Sequence, residues 1–190
     1  MSKDRELKAV VVYESFFGNT ATIARAVASG LRLEGLDALD RDVSDVHGPL
    51  PDGYDLLVVG GPTHAFAMSR PRTRDDAVSR GGDSCYSDRG LREWLSDIPH
   101  ERGTRLAATF DTRVSKVRHL PMSAARSAAH VLRQRGFTLV ARPTGFVVLD
   151  VEGPLEQREL ERAVAWGRAV GCAAQDRLAA AQKRGQRWGS

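Results

Sequence analysis

The stretch Lys8-Ala9-Val10-Val11-Val12-Tyr13-Glu14-Ser15-Phe16-Phe17-Gly18-Asn19-Thr20 decides how the chain is read. Its opening residues form an apolar run without alternation, the pattern of a central strand covered on both faces. A short loop of small and hydroxyl-bearing residues follows. Over residues 20–33, Ile23, Val27 and Leu31 then recur at helical spacing, and Gly35 supplies a natural stop. A buried strand, a tight loop and a helix thus follow one another directly.

The alternation continues along the chain. Residues 36–43 read as a weaker, edge-like strand, and 55–60 as a second buried strand ended by Gly60-Gly61-Pro62. Residues 65–89 are dense in Arg, Asp, Ser and Gly and read as a mobile surface loop able to close over a site. A short helix over 90–98 carries Leu91, Trp94 and Leu95, and 104–110 forms the next strand. Pro121 and Ser123 suit the start of a helix over 121–134. The last strand, 138–149, is interrupted at Pro143, which lacks a ladder donor and belongs at a sheet edge. A closing helix over 156–182 presents Leu160, Val164, Gly167 and Val170 as one stripe. This order predicts an α/β fold, a five-stranded parallel sheet with helices on both faces. We expect one domain over residues 1–182 and a basic, unstructured tail over 183–190.

The bulk properties fit that reading. A chain of 190 residues suffices for one α/β domain with a buried core, and 42% hydrophobic with 27% charged residues is an ordinary globular composition. No apolar run is long enough to span a membrane and no signal-peptide core follows Met1, so a cytoplasmic protein without a membrane partner is expected. The formal net charge is +4, but Lys183, Arg184 and Arg187 all follow the last acidic residue, Asp176. The body is therefore nearly balanced, which disfavours nucleic acid as a partner. Cys85 and Cys172 match no metal or redox spacing, and we expect inert thiols and no metal site.

In open parallel sheets, ligands bind beyond the carboxyl ends of the strands where the strand order reverses. That rule selects the loops at 14–20, 61–66 and 111–116. In the first, Gly18 permits close backbone approach and Ser15 and Thr20 supply hydroxyls. The start of the helix adds unpaired N–H groups and a positive dipole end, giving an anion site without lysine or arginine. A plain strand-to-helix turn capped by Asn19 or Thr20 would explain the same residues. The P-loop and dinucleotide fingerprints are absent. The strand ending in Val59-Gly60-Gly61 also lacks the acidic phospho-acceptor of a receiver domain.

At these residues the sequence resembles the flavodoxin family, whose phosphate loop reads T/S-x-T-G-x-T. Ser15, Gly18 and Thr20 fall on matching positions, and Phe17 replaces the middle hydroxyl residue. Pro62-Thr63 matches the S-P-T-type loop that flavodoxins place beside the isoalloxazine ring. The resemblance implies a flavodoxin-like sheet of order 2-1-3-4-5 and FMN as cofactor. Ser15, Phe16, Phe17, Gly18, Asn19 and Thr20 would surround the phosphate, with Pro62, Thr63, His64, Ala65 and Phe66 beside the ring. Phe66 either stacks on the flavin or packs its own loop, and His64 either contacts the ring edge or is an exposed polar residue. Phe110, Asp111, Thr112 and Arg113 occupy the family's other flavin-contacting loop, without the aromatic residue many flavodoxins carry there. Asp111 or backbone amides would bond the pyrimidine edge and Arg113 would offset negative charge on a reduced ring, unless the two simply form a local turn. Glu152-Gly153-Pro154-Leu155, followed by a helix with Trp166-Gly167, is similar to actinobacterial-type flavodoxin-like proteins.

The resulting expectation is an FMN-binding protein acting in electron transfer, with a redox partner protein or a small-molecule electron acceptor. The alternatives are an FMN-dependent NAD(P)H:quinone or small-molecule reductase, and a binding module that has lost FMN. Electron-shuttling flavodoxins are acidic, so the nearly neutral body favours these two alternatives. In any FMN reading the flavin carries the redox chemistry, and no catalytic acid or base is assigned.

Overall fold

The computed structural model describes residues 6–187, apart from 47, 49–52, 65–66, 87, 102–104, 118 and 120. Its strands are β1 (Lys8–Tyr13), β2 (Asp37–Asp42), β3 (Leu56–Pro62), β4 (Leu106–Val114), β5 (Thr138–Leu139) and β6 (Thr144–Val148). They form one sheet of order β2-β1-β3-β4-β5, with β6 also on β4. Every named pairing is parallel. β5 and β6 share one edge position, divided by the segment holding Pro143, as the missing amide donor of proline requires.

β1 is buried from Ala9 to Tyr13 because it has neighbours on both edges and helices on both faces. Ala9, Val11 and Tyr13 point into the core formed with α1 (Asn19–Leu33) and α5 (Glu159–Arg187). Val10 and Val12 point the other way, into the core formed with α3 (Leu91–Asp97) and α4 (Ala124–Gln134). Each buried aliphatic side chain contributes about 1.5–3 kcal/mol. A one-residue slip would exchange the two faces and mismatch both cores, so the register is strongly specified.

Two glycines set how closely α5 covers α1. A Cβ on Gly30 would lie 2.2 Å from the Val164 carbonyl oxygen, and one on Gly167 would lie 2.4 Å from that of Val27. The helices cross backbone against backbone, which holds α1 and the loop before it firmly on the sheet.

Three segments differ from the sequence-based expectation. Residues 65–89 are not one long mobile loop, because they contain α2 (Pro71–Ser79), started by Pro71 in its first turn. The inward face of α2 carries Arg74, completely buried, beside Ala77, so apolar periodicity does not reveal it. β4 does not stop at Phe110 but continues to Val114, held by pairing with β3 through Thr112 and with β6 through Val114. The closing helix starts at Glu159 rather than 156 and continues past Gln182 to Arg187.

Candidate functional site

The loop after β1 is built to leave its amides open. Gly18 takes φ 80°, a left-handed conformation that glycine adopts without a Cβ penalty, and forms the N-cap of α1. The carbonyl oxygen of Gly18 accepts from Thr22, through its amide at 3.0 Å and its hydroxyl at 2.9 Å. Ser15 Oγ accepts from the Ala21 amide at 3.1 Å. Neither Asn19 nor Thr20 caps the helix, so the plain capped turn is not what the chain forms. The Asn19 side chain instead donates to the Glu152 carbonyl at 3.0 Å. Thr20 Oγ1 lies 2.8 Å from Thr112 Oγ1. Among the described residues, the amides of Phe16, Phe17, Gly18, Asn19 and Thr20 have no hydrogen-bond acceptor. Consecutive free amides at a helix start form a nest for an anion.

The loop is held from behind. The Ser15 amide donates to Tyr86 Oη at 3.2 Å, and Tyr86 in turn donates to Asp42. The Phe16 carbonyl accepts from the Asp83 amide at 2.9 Å, and its ring packs edge-to-face on Tyr86 and His64. Beneath, the fully buried Arg74 guanidinium pairs with Glu93, Nη1 to Oε2 at 3.0 Å. Glu14 Oε2 accepts from the Leu91 amide at 2.9 Å. Burial pushes the Glu14 carboxyl above the usual carboxylate range. These groups converge on Gly90, where a Cβ would meet Glu14 Oε2 at 3.1 Å, and Arg74 Nη1 and Ser69 Oγ at 3.2 Å each.

The second loop continues from β3. The Thr63 amide donates to the Thr112 carbonyl at 2.8 Å, and Thr63 Oγ1 accepts from the Ala124 amide at 3.0 Å, tying the loop to α4. His64 and Ala67 exchange two backbone hydrogen bonds, 2.9 and 3.0 Å. Burial, reinforced by the Arg74 charge, pushes the His64 imidazole down to about 4, so it is neutral at neutral pH. Ala65 and Phe66 lie outside the described residues.

The two loops and the end of β4 enclose a cleft of about 330 Å³. Ser15, Phe16, Phe17, Asn19, Thr20, Pro62, Thr63, His64, Thr112 and Arg113 all line it. Gly18 contributes backbone at the helix start. Phe110 and Asp111 are not brought to the cleft. Phe110 packs in the core against Phe146 and Trp166, its ring lying 2.0 Å from where a Cβ on Gly60 would sit. The Asp111 carboxylate is taken by Arg113, with Nε and Nη2 both at 2.7 Å, and by the Ala125 amide at 3.1 Å. This is a bidentate pair between same-face residues of a strand, not a turn.

One wall of the cleft comes from the segment that sequence reads as a mobile loop able to close over a site, here formed as a helix. Thr73, Asp76, Ala77 and Arg80 reach it from α2 and its end. The signal for that wall was Pro71, a residue suited to the first helical turn. Among the described residues, no group of three or more His, Cys, Asp or Glu side chains suits a metal ion. No described helix is long and apolar enough to cross a membrane.

Known structures share this architecture. A flavodoxin from the domain Archaea superposes with a TM-score of 0.61 at 19% identity, over 89% of this chain and 99% of its own. Flavodoxin 2 from Bacillus cereus gives a TM-score of 0.59 at 18% identity, over 86% of this chain and 97% of its own. The fold is that of the flavodoxins. The same flavodoxin-like fold appears in a WrbA-like flavodoxin from Agrobacterium tumefaciens, with a TM-score of 0.53 and 19% identity over 90% of this chain and 99% of its own. No family model matches the sequence. At these identities the likeness concerns the path of the chain alone.

Proposed function

We propose that the cleft binds FMN and that the protein acts in electron transfer. The observation that carries this reading is the run of acceptor-free amides from Phe16 to Thr20 around the left-handed Gly18. A phosphate is the natural occupant of such a nest, since each amide bonded to a charged oxygen contributes about 1.5–3 kcal/mol. FMN, when bound, supplies reversible one- and two-electron chemistry. The chain supplies binding and environment. Thr20 and Thr112 place hydroxyls on the cleft floor, Pro62 and Thr63 form a rim, and neutral His64 presents an imidazole without a positive charge. Arg113 is held in place by Asp111 and brings a compensated charge to the cleft. The segment that resembles actinobacterial-type proteins borders this site, where the Glu152 carbonyl anchors Asn19.

A second reading, an FMN-dependent reductase of a quinone or another small molecule, is favoured by the wall contributed from α2. Thr73, Asp76 and Arg80 give the cleft polar groups beyond those of the three strand-end loops, where a nicotinamide donor or acceptor could be positioned.

The deciding experiment is gel filtration of the purified chain mixed with FMN or with riboflavin. Retained FMN absorbance with much weaker retention of riboflavin supports a phosphate-anchored flavin. Loss of all FMN on the column rejects the reading in favour of a flavin-free binding module. Steady oxidation of NADH or NADPH by the loaded protein in the presence of a quinone then separates reductase from carrier.

A further inference from the structure

A second depression of about 400 Å³ lies beside α4. Its apolar part is Met68, Pro121 and Met122, with Met122 62% exposed. Its basic part is Arg92 and Arg126, the His130 imidazole lies beside them, and among the described residues no carboxylate lines it. Arg92 is fixed at this rim, donating to the Ser69 carbonyl through Nε at 2.9 Å and to the Met68 carbonyl through Nη2 at 2.7 Å. Arg126 and His130 are exposed one helical turn apart, and among the described residues neither side chain has an acidic partner. An exposed methionine beside two arginines and an imidazole has the layout of a protein interface, an adaptable apolar centre with a polar rim.

The place of this groove adds to its meaning. Met68 directly follows the paired His64–Ala67 segment, whose His64 lines the cleft described above. The start of α4, which borders the groove, is bonded to Thr63 of the same loop. One loop therefore separates groove and cleft.

We propose that this groove is the docking surface for an acidic protein, whose carboxylates meet Arg92, Arg126 and His130 around an apolar contact on Met122. That the partner is a redox protein rests on the FMN reading; the docking itself does not. Charge complementarity selects an acidic partner, and the open shape and exposed methionine favour a protein surface over a small organic acid.

The test uses an acidic plant-type [2Fe–2S] ferredoxin as probe and a basic cytochrome c as its opposite, with binding measured by calorimetry at low ionic strength. Both the FMN-free and the FMN-treated chain are titrated. Arg126→Glu is compared with Arg177→Glu, which makes the same charge change at an exposed site on α5, across the sheet. We expect ferredoxin to bind, Arg126→Glu to weaken it about tenfold or more, Arg177→Glu to change it less than about twofold, and cytochrome c not to bind. Arg126→Gln should give an intermediate loss. Equal losses in the two Glu variants would reduce the effect to net charge and overturn the proposal. So would absence of ferredoxin binding, or benzoate occupying the groove where ferredoxin does not. Ferredoxin binding through Arg126 by a chain that takes up no FMN would reject the flavin reading alone; FMN uptake without ferredoxin binding would reject the docking surface alone.

Discussion

Thr20 and Thr112 share a hydroxyl–hydroxyl hydrogen bond of 2.8 Å, joining the first turn of α1 to the far end of β4. Both residues are nearly inaccessible, at 2% and 5% exposure, yet both border the cleft. A hydroxyl has one donor and two acceptor positions, so one hydrogen bond leaves each threonine with capacity toward a ligand. Replacing Thr112 with Val strands the Thr20 hydroxyl and should cost about 1–2 kcal/mol in urea denaturation. The Thr20→Val, Thr112→Val double variant should lose less than the sum of the single losses, because neither partner is then left unpaired.

Gly18 tests the nest with little steric interference. No atom lies within 4 Å of a Cβ built there, so Gly18→Ala meets only the left-handed backbone penalty, about 1–2 kcal/mol. Gly18→Asn, which tolerates this conformation better, should cost less. FMN affinity read by flavin fluorescence should fall in the order Gly, Asn, Ala. Gly18→Val combined with Thr20→Ala should abolish the preference for FMN over riboflavin.

His64 sets a pH dependence with a definite sign. Its folded pKa is about 4 against an ordinary 6.5, so between these values the unfolded chain binds more protons than the folded one. Stability is fully present above pH 6.5 and is lost as pH falls toward 4. The ring is partly exposed, so the expected loss is about 1–2 kcal/mol, less than the full shift implies. His64→Gln should remove this part of the slope in urea midpoints collected across that range. An imidazole resonance of His64 titrating near 6.5 would reject the assignment.

Arg74 should be the most costly arginine to remove. It is fully buried and paired with the partly exposed Glu93, so Arg74→Ala breaks a half-buried ion pair and empties a packed space, and should cost about 2 kcal/mol or more by urea denaturation. Arg89→Ala breaks an exposed pair with Asp97 and should cost less than about 1 kcal/mol. Because Arg74 and Glu93 lie under the loop that follows β1, FMN affinity should fall with the first substitution and not with the second.

The parts of the fold that were legible in sequence are those where burial acts on uninterrupted apolar residues. β1, β3 and α1 are covered on both sides or along one clear stripe, and Pro143 announces the break between β5 and β6. α2 was hidden because the residue that anchors it inward is an arginine, whose burial depends on Glu93 from a helix elsewhere in the chain. The end of β4 was hidden because Asp111 and Arg113 look like loop residues until they neutralise each other. Their spacing of two residues was itself a strand signal, since it puts both side chains on one face. Most of the cleft-lining loop residues were identifiable from their position at strand ends, whereas the fate of Phe110 depended on the space left by Gly60.

The glycine crossing of α1 by α5 also sets an order of assembly during synthesis. The outer face of α1 is covered by α5, a helix made after every strand of the sheet. A nascent chain lacking α5 would carry α1 on the sheet with its outer apolar residues exposed. The outer cover of α1 is thus made about 140 residues after the loop it follows, and α1 acquires its full packing only when α5 docks.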